Sequence, residues 1–102
     1  MAIEGLDVDD CQAIVLVKPQ FEVGRQRVGK GGVVRDPLAH RDAITAVIEA
    51  ANSVGWKPAG LVASPLTGPA GNHEYLLWLT SLGEPQIESS LIEKVVSETL
   101  HD

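Results

Sequence analysis

Two ionisable residues stand where an apolar run meets a loop. Lys18 closes Ile14-Val15-Leu16-Val17, and Glu74 opens Tyr75-Leu76-Leu77-Trp78-Leu79. A lysine and a carboxylate brought together at the rim of a sheet can orient a hydroxyl group or take its proton. The plain alternative is a lysine stem that snorkels off a strand end with a glutamate as its surface partner. Between Lys18 and the next helix signal lie about eighteen residues, where α/β connections are normally two to six long. That stretch carries Arg25, Arg27, Lys30 and Arg35 among its glycines.

The elements that must position these groups follow from pattern. Ala13 to Val17 reads as a strand, and its unbroken apolar run predicts burial on both faces. Asp36 followed by Pro37 is an N-cap with proline at the first helical position, and the helix extends to about Val54 before Gly55. Its apolar stripe is Leu38, Ile44, Val47, Ile48, Ala51 and Val54. Ala59 to Ala63 is a second strand, residues 64–73 form a Pro/Gly loop, and a third strand starts at Glu74. A second long helix is expected over 86–100, with Ile87, Leu91, Ile92 and Val95 on its apolar side. The order is β-α-β-β-α.

Topology turns the two residues into a candidate site. A strand–helix–strand unit places its strands parallel, so strands one and two end at the same edge of the sheet. Strand three returns antiparallel between them, giving a three-stranded sheet of mixed direction. Lys18, Glu74, the basic loop and the 64–73 loop then share one rim, the edge at which open α/β sheets hold ligands.

Composition bounds the class. The 102 residues make one domain, with 44% hydrophobic and 22% charged residues, as in a globular chain. No apolar run approaches the roughly 20 residues of a membrane span, and no basic-then-apolar leader opens the chain. A single cysteine, Cys11, excludes an internal disulfide, and a reducing cytoplasmic location is expected. His40, His73 and His101 lack ligand spacing, so no metal is expected. The net charge is −6, yet six of the eight basic residues fall between positions 18 and 41. Against them stand Glu22, Asp36 and Asp42, leaving a local excess of three positive charges suited to phosphate. Gly24 to Gly31 imitates a P-loop, but Gly31 occupies the position that needs a serine or threonine, and the helix starts too late to cap the same phosphate.

The motifs KPQFE-x-G, GKGGVVRDP and SP-x-x-GP-x-GN-x-EY resemble the C-terminal half of the hemolysin A (TlyA) family over roughly residues 10 to 80. That family is similar to the FtsJ-like methyltransferases, which transfer a methyl group from S-adenosylmethionine to a ribose 2′-hydroxyl of ribosomal RNA. The resemblance implies an α/β fold, the C-terminal fragment of a Rossmann-like class I methyltransferase. It also implies a cytidine target and a Lys-Asp-Lys-Glu tetrad. By motif the second lysine falls on Lys18 and the glutamate on Glu74, with Arg25, Arg27, Lys30 and Arg35 expected on RNA phosphate. The glycine-rich cofactor loop, the first lysine, the aspartate and an S4-like RNA-binding domain have no counterpart here. The expectation is therefore that residues 1–102 form part of one methyltransferase domain, with 1–11 a loose lead-in and 84–102 the terminal helix. Such a chain would be inactive alone, without tight S-adenosylmethionine binding, with ribosomal RNA or subunits as partners of the complete enzyme and no membrane association. The edge of strand 13–17 is expected to pair in a homodimer. A non-catalytic interaction or dimerisation module that kept the half-fold is the alternative.

Overall fold

The computed structural model describes residues 11–82 and 87–100. Its elements are β1 (Gln12–Val17), α1 (Pro19–Glu22), α2 (Pro37–Ser53), β2 (Lys57–Ala63), β3 (Tyr75–Thr80) and α3 (Ser89–Leu100). The strand order is β1-β3-β2. β3 pairs antiparallel with both neighbours, so β1 and β2 point the same way without touching. A mixed sheet was expected; the sheet is antiparallel throughout, because β3 lies between the two co-directional strands and runs against both. Residues 1–10, which hold most of the expected lead-in and its acidic residues, lie outside the described residues, as do 83–86.

Helix α2 is bounded as its sequence demands. Asp36 Oδ1 accepts a hydrogen bond from Leu38 N at 3.0 Å, and Pro37 fills the first turn. At the other end Gly55 has φ +94°, and its N–H and that of Trp56 donate to the Asn52 and Ala51 carbonyls, a Schellman closure. The helix turns a different stripe inward than expected near its start. Ala39, His40, Ala43 and Ile44 are buried, while Leu38 and Val54 are exposed. Small residues face the sheet there, which lets the helix approach closely, and Leu38 rides on the flank.

The core lies on one face of the sheet. Val17, Leu61, Tyr75, Leu77 and Leu79 meet Ala43 and Ile44 of α2 and Ile92 and Val96 of α3. Truncating a fully buried residue such as Leu77 to alanine costs about 2–5 kcal/mol. The opposite face corrects the expectation of burial on both sides. Ile14 is 70% exposed, Val62 57% and Trp78 46%, because α2 and α3 both pack on the other side. Ile14 stands opposite Trp78, and Leu16 opposite Leu76. Together with Val62 and Gly60 they form an apolar surface with a shallow depression of about 210 Å³.

The glycine-rich stretch is a chain of helical turns, α1 followed by 3₁₀ turns at Arg25–Arg27 and Lys30–Gly32. It was expected as open loop; local i→i+3 bonds such as Arg27 N to Gly24 O (2.9 Å) fold it up. Gly31 and Gly32 have φ of +76° and +79°, and this pair of left-handed residues turns the chain back towards Val34.

Candidate functional site

Val17 and Tyr75 are the last pair of the β1–β3 ladder, so Lys18 and Glu74 are the next residues out, on adjacent strands at one rim. Side-chain alternation puts them in the row of Leu16–Leu76 and Ile14–Trp78, on the face away from α2 and α3. On the far side, Ser64 N donates to Glu74 O at 2.8 Å, which carries the β2–β3 ladder to the same rim.

Glu74 is 5% exposed. Its Oε2 accepts a 2.8 Å hydrogen bond from Gln20 Nε2, and its carboxylate lies directly over Gly68. A Cβ on Gly68 would overlap Oε2 and come within 2.6 Å of the carboxylate carbon, so any larger residue there would displace the carboxylate or the loop. Gln20 Oε1 is buried and has no hydrogen-bond partner. Lys18 is half-buried and caps α1, its carbonyl accepting from Phe21 N and Glu22 N. Its ammonium sits 5.7 Å from the centre of the Phe21 ring. Among the described residues no carboxylate lies within 4.0 Å of it. Lys18 and Glu74 thus share the rim, but Glu74 takes an amide as its partner and the ammonium is left for an incoming group.

A buried relay fixes the rim loops. Asn72, 1% exposed, accepts from Val34 N and donates to Gly32 O, each at 2.8 Å. Val34 O in turn faces His40 Nε2 at 2.8 Å, and His40 Nδ1 faces Tyr75 OH at 2.8 Å. A carbonyl only accepts, so Nε2 carries the proton, Nδ1 accepts, and the Tyr75 hydroxyl donates. Burial pushes the Tyr75 phenol up to about 12 and the His40 imidazole below its ordinary value, so both stay neutral donors and acceptors. The glycine turn, the 64–72 loop, α2 and β3 are thereby tied together one residue from Glu74.

The four expected phosphate contacts divide. Arg25, Lys30 and Arg35 are exposed, with Arg35 Nη1 also donating to Lys30 O at 3.1 Å. Arg27 is half-buried and engaged: it meets Asp42 at 2.8 Å and Asp36 at 3.7 Å, pinning the loop to α2. Its hydrogen bond holds the Asp42 carboxyl below its usual range, with Arg41 adding to the effect, and Asp42 raises the guanidinium in return. Gln20, Gly68, Asn72 and His40 were not picked out from the sequence, although the first three lie inside KPQFE and SP-x-x-GP-x-GN-x-EY.

Among the described residues no three His, Cys, Asp or Glu side chains converge as metal ligands, and no helix is long and apolar enough to cross a membrane. A groove of about 410 Å³ between Pro37, Leu38 and Arg41 of α2 and Glu93, Val96 and Leu100 of α3 opens on the helical layer, away from the Lys18–Glu74 row.

Residues 1–81 match the family model for the FtsJ-like methyltransferase. The chain is 43% identical over 98% of its length to the 16S/23S rRNA (cytidine-2′-O)-methyltransferase TlyA of Mycobacterium tuberculosis, covering 36% of that protein. It is 44% identical over 91% of its length to YqxC of Bacillus subtilis, covering 32% of it. The solved structure of a hemolysin-named protein from Streptococcus thermophilus superposes with a TM-score of 0.78 at 38% identity, over 89% of this chain and 33% of that one. The chain spans about a third of the length of these relatives. With more than three quarters of its residues matched and this rim in place, the chain belongs to the FtsJ-like methyltransferase family.

Proposed function

We propose that this chain supplies the acceptor side of a ribosomal RNA 2′-O-methyltransferase, with Lys18 and Glu74 acting on the ribose hydroxyl. The observation that carries this reading is their position one step beyond the Val17–Tyr75 pair, where the basic loop and the 64–72 loop leave the sheet. Lys18 Nζ, with no carboxylate of the described residues held against it, orients the 2′-hydroxyl and, once it has given its own proton to solvent, takes the hydroxyl proton as the neutral amine while the oxygen attacks. Glu74, held by Gln20 and Gly68, presents its second carboxylate oxygen to the ribose or the lysine. Arg25, Lys30 and Arg35 meet phosphate, and Arg27 holds their loop in shape. General acid–base groups placed in this way contribute about 10²–10⁴ in rate.

S-adenosylmethionine does not fit the residues described here. β1 passes straight into α1 through Lys18 and Pro19 with no glycine turn, and the space beside Glu74 is filled by Gln20 and the 64–72 loop. The methyl donor's seat is assigned to the part of the complete enzyme that this chain does not span, and the chain alone is read as inactive.

The bare sheet face and the free edge of β1 favour a second copy as partner. Among the described residues β1 pairs with β3 alone, and its outward residues Ile14 and Leu16 are exposed, so a two-fold antiparallel pairing of β1 with itself continues the sheet and covers apolar surface.

Replacing the C-terminal third of the M. tuberculosis relative by this chain tests the reading. The chimera is expected to protect a cytidine ribose of ribosomal RNA from alkaline cleavage, and the 102-residue chain alone to give no methylation. A soluble, folded chimera without methylation would count against it.

A further inference from the structure

Phe21 is the chain's only phenylalanine, and 69% of it is exposed. It sits on α1, three residues after Lys18, and its ring is the neighbour of the Lys18 ammonium. Leu66, 77% exposed, projects from the 64–72 loop. The two loops touch, since Gln20 Nε2 reaches Glu74 and would lie 3.2 Å from a Cβ on Gly68. An aromatic ring is therefore offered to solvent beside the lysine that faces the acceptor hydroxyl, with Arg25, Lys30 and Arg35 exposed on the following turns.

A ring so placed adds nothing to the core, which is complete without it. Its surroundings match one ligand chemistry, a single-stranded nucleotide: cations for the phosphate, a lysine for the ribose and a flat apolar face for the base. Bases stack on aromatic rings with sequence tolerance, and enzymes that modify a nucleotide commonly draw it out of its helix to reach it. We infer that Phe21 is the stacking platform for the nucleobase at or next to the target ribose, with Leu66 bounding the same space. This positioning role rests on the RNA reading above and adds to it a residue that neither the cations nor the Lys18–Glu74 pair would require.

The single phenylalanine makes the test clean. With 4-fluorophenylalanine incorporated, the 102-residue chain has one ¹⁹F resonance, titrated at low salt with a cytidylate hexanucleotide. The resonance is expected to move, with nuclear Overhauser contacts between the ring and the base protons. An abasic ribose-phosphate hexamer should bind the cations and leave the ring unmoved. Phe21→Ala should weaken cytidylate binding about tenfold, and Phe21→Tyr should restore it. Lys30→Glu with Arg35→Glu should weaken both oligomers. Cytidylate binding that Phe21→Ala leaves unchanged, or equal ring shifts with the abasic hexamer, would overturn the stacking role and leave the basic loop intact. Failure of wild type to bind either oligomer would overturn the basic-loop reading and the stacking with it.

Discussion

Gln20 and Glu74, 54 positions apart, are joined by a 2.8 Å hydrogen bond that holds the carboxylate in place at 5% exposure. Removing Gln20 leaves a buried acceptor without its donor, which costs about 1–3 kcal/mol. Gln20→Ala is expected to lower the unfolding free energy by that amount, read from a lower urea midpoint at unchanged slope, and Gln20→Glu by more, because two carboxylates would then face each other. An unchanged midpoint in both variants would show that the contact does not hold Glu74.

Gly68→Ala addresses the same carboxylate from the other side. The added methyl would occupy the position of Glu74 Oε2, so either the loop or the carboxylate must move. A destabilisation of about 1–3 kcal/mol is expected, relieved in large part by the double variant Gly68→Ala with Glu74→Ala. Additive losses in this double-mutant cycle would contradict the direct packing.

His40 gives the fold a pH dependence of defined sign. Burial lowers its folded value below 6.5, partly offset by the Val34 hydrogen bond, with His73 lowering it further and Asp36 raising it. The unfolded chain then binds a proton that the folded chain refuses. Stability from this residue is full above about 6.5 and falls as pH drops from there towards the lower folded value. Urea midpoints between about pH 8 and pH 5.5 should decline for the wild type and decline less for His40→Gln. Equal slopes would remove His40 as the source.

Much of this was readable from short-range signals. Asp36-Pro37 and Gly55 bounded α2 to within a residue, and the strand–helix–strand rule together with the 64–73 loop gave the β1-β3-β2 order. Lys18 and Glu74 came from strand ends, which are local features. What escaped depended on distant partners. Gln20 gains its meaning only from Glu74, and Arg27 looks like its neighbours until Asp42 is placed beside it by the first turns of α2. His40 reads as a polar interruption of an amphipathic helix, yet Tyr75 and the Val34 carbonyl make it a core residue. Burial of β1 on both faces was inferred from its apolar run, but α2 and α3 pack on one side only and leave Ile14 and Leu16 exposed on the bare face, so an apolar run alone does not fix how many faces are covered.

That face yields a further expectation. Light scattering over a range of concentrations should report a dimer of the 10.9 kDa chain, and Ile14→Lys with Leu16→Lys should return the monomer without loss of helical signal. A wild-type monomer at high concentration would reject β1 pairing.

The central claim is that Lys18 and Glu74 act on the acceptor ribose. Its most direct test is single-turnover 2′-O-methylation of ribosomal RNA by the complete methyltransferase carrying Lys18→Ala or Glu74→Ala, at saturating RNA and S-adenosylmethionine. Each substitution is expected to lower the methyl-transfer rate by about a hundredfold or more, with RNA affinity little changed. A near-wild-type rate for Lys18→Ala would contradict the claim.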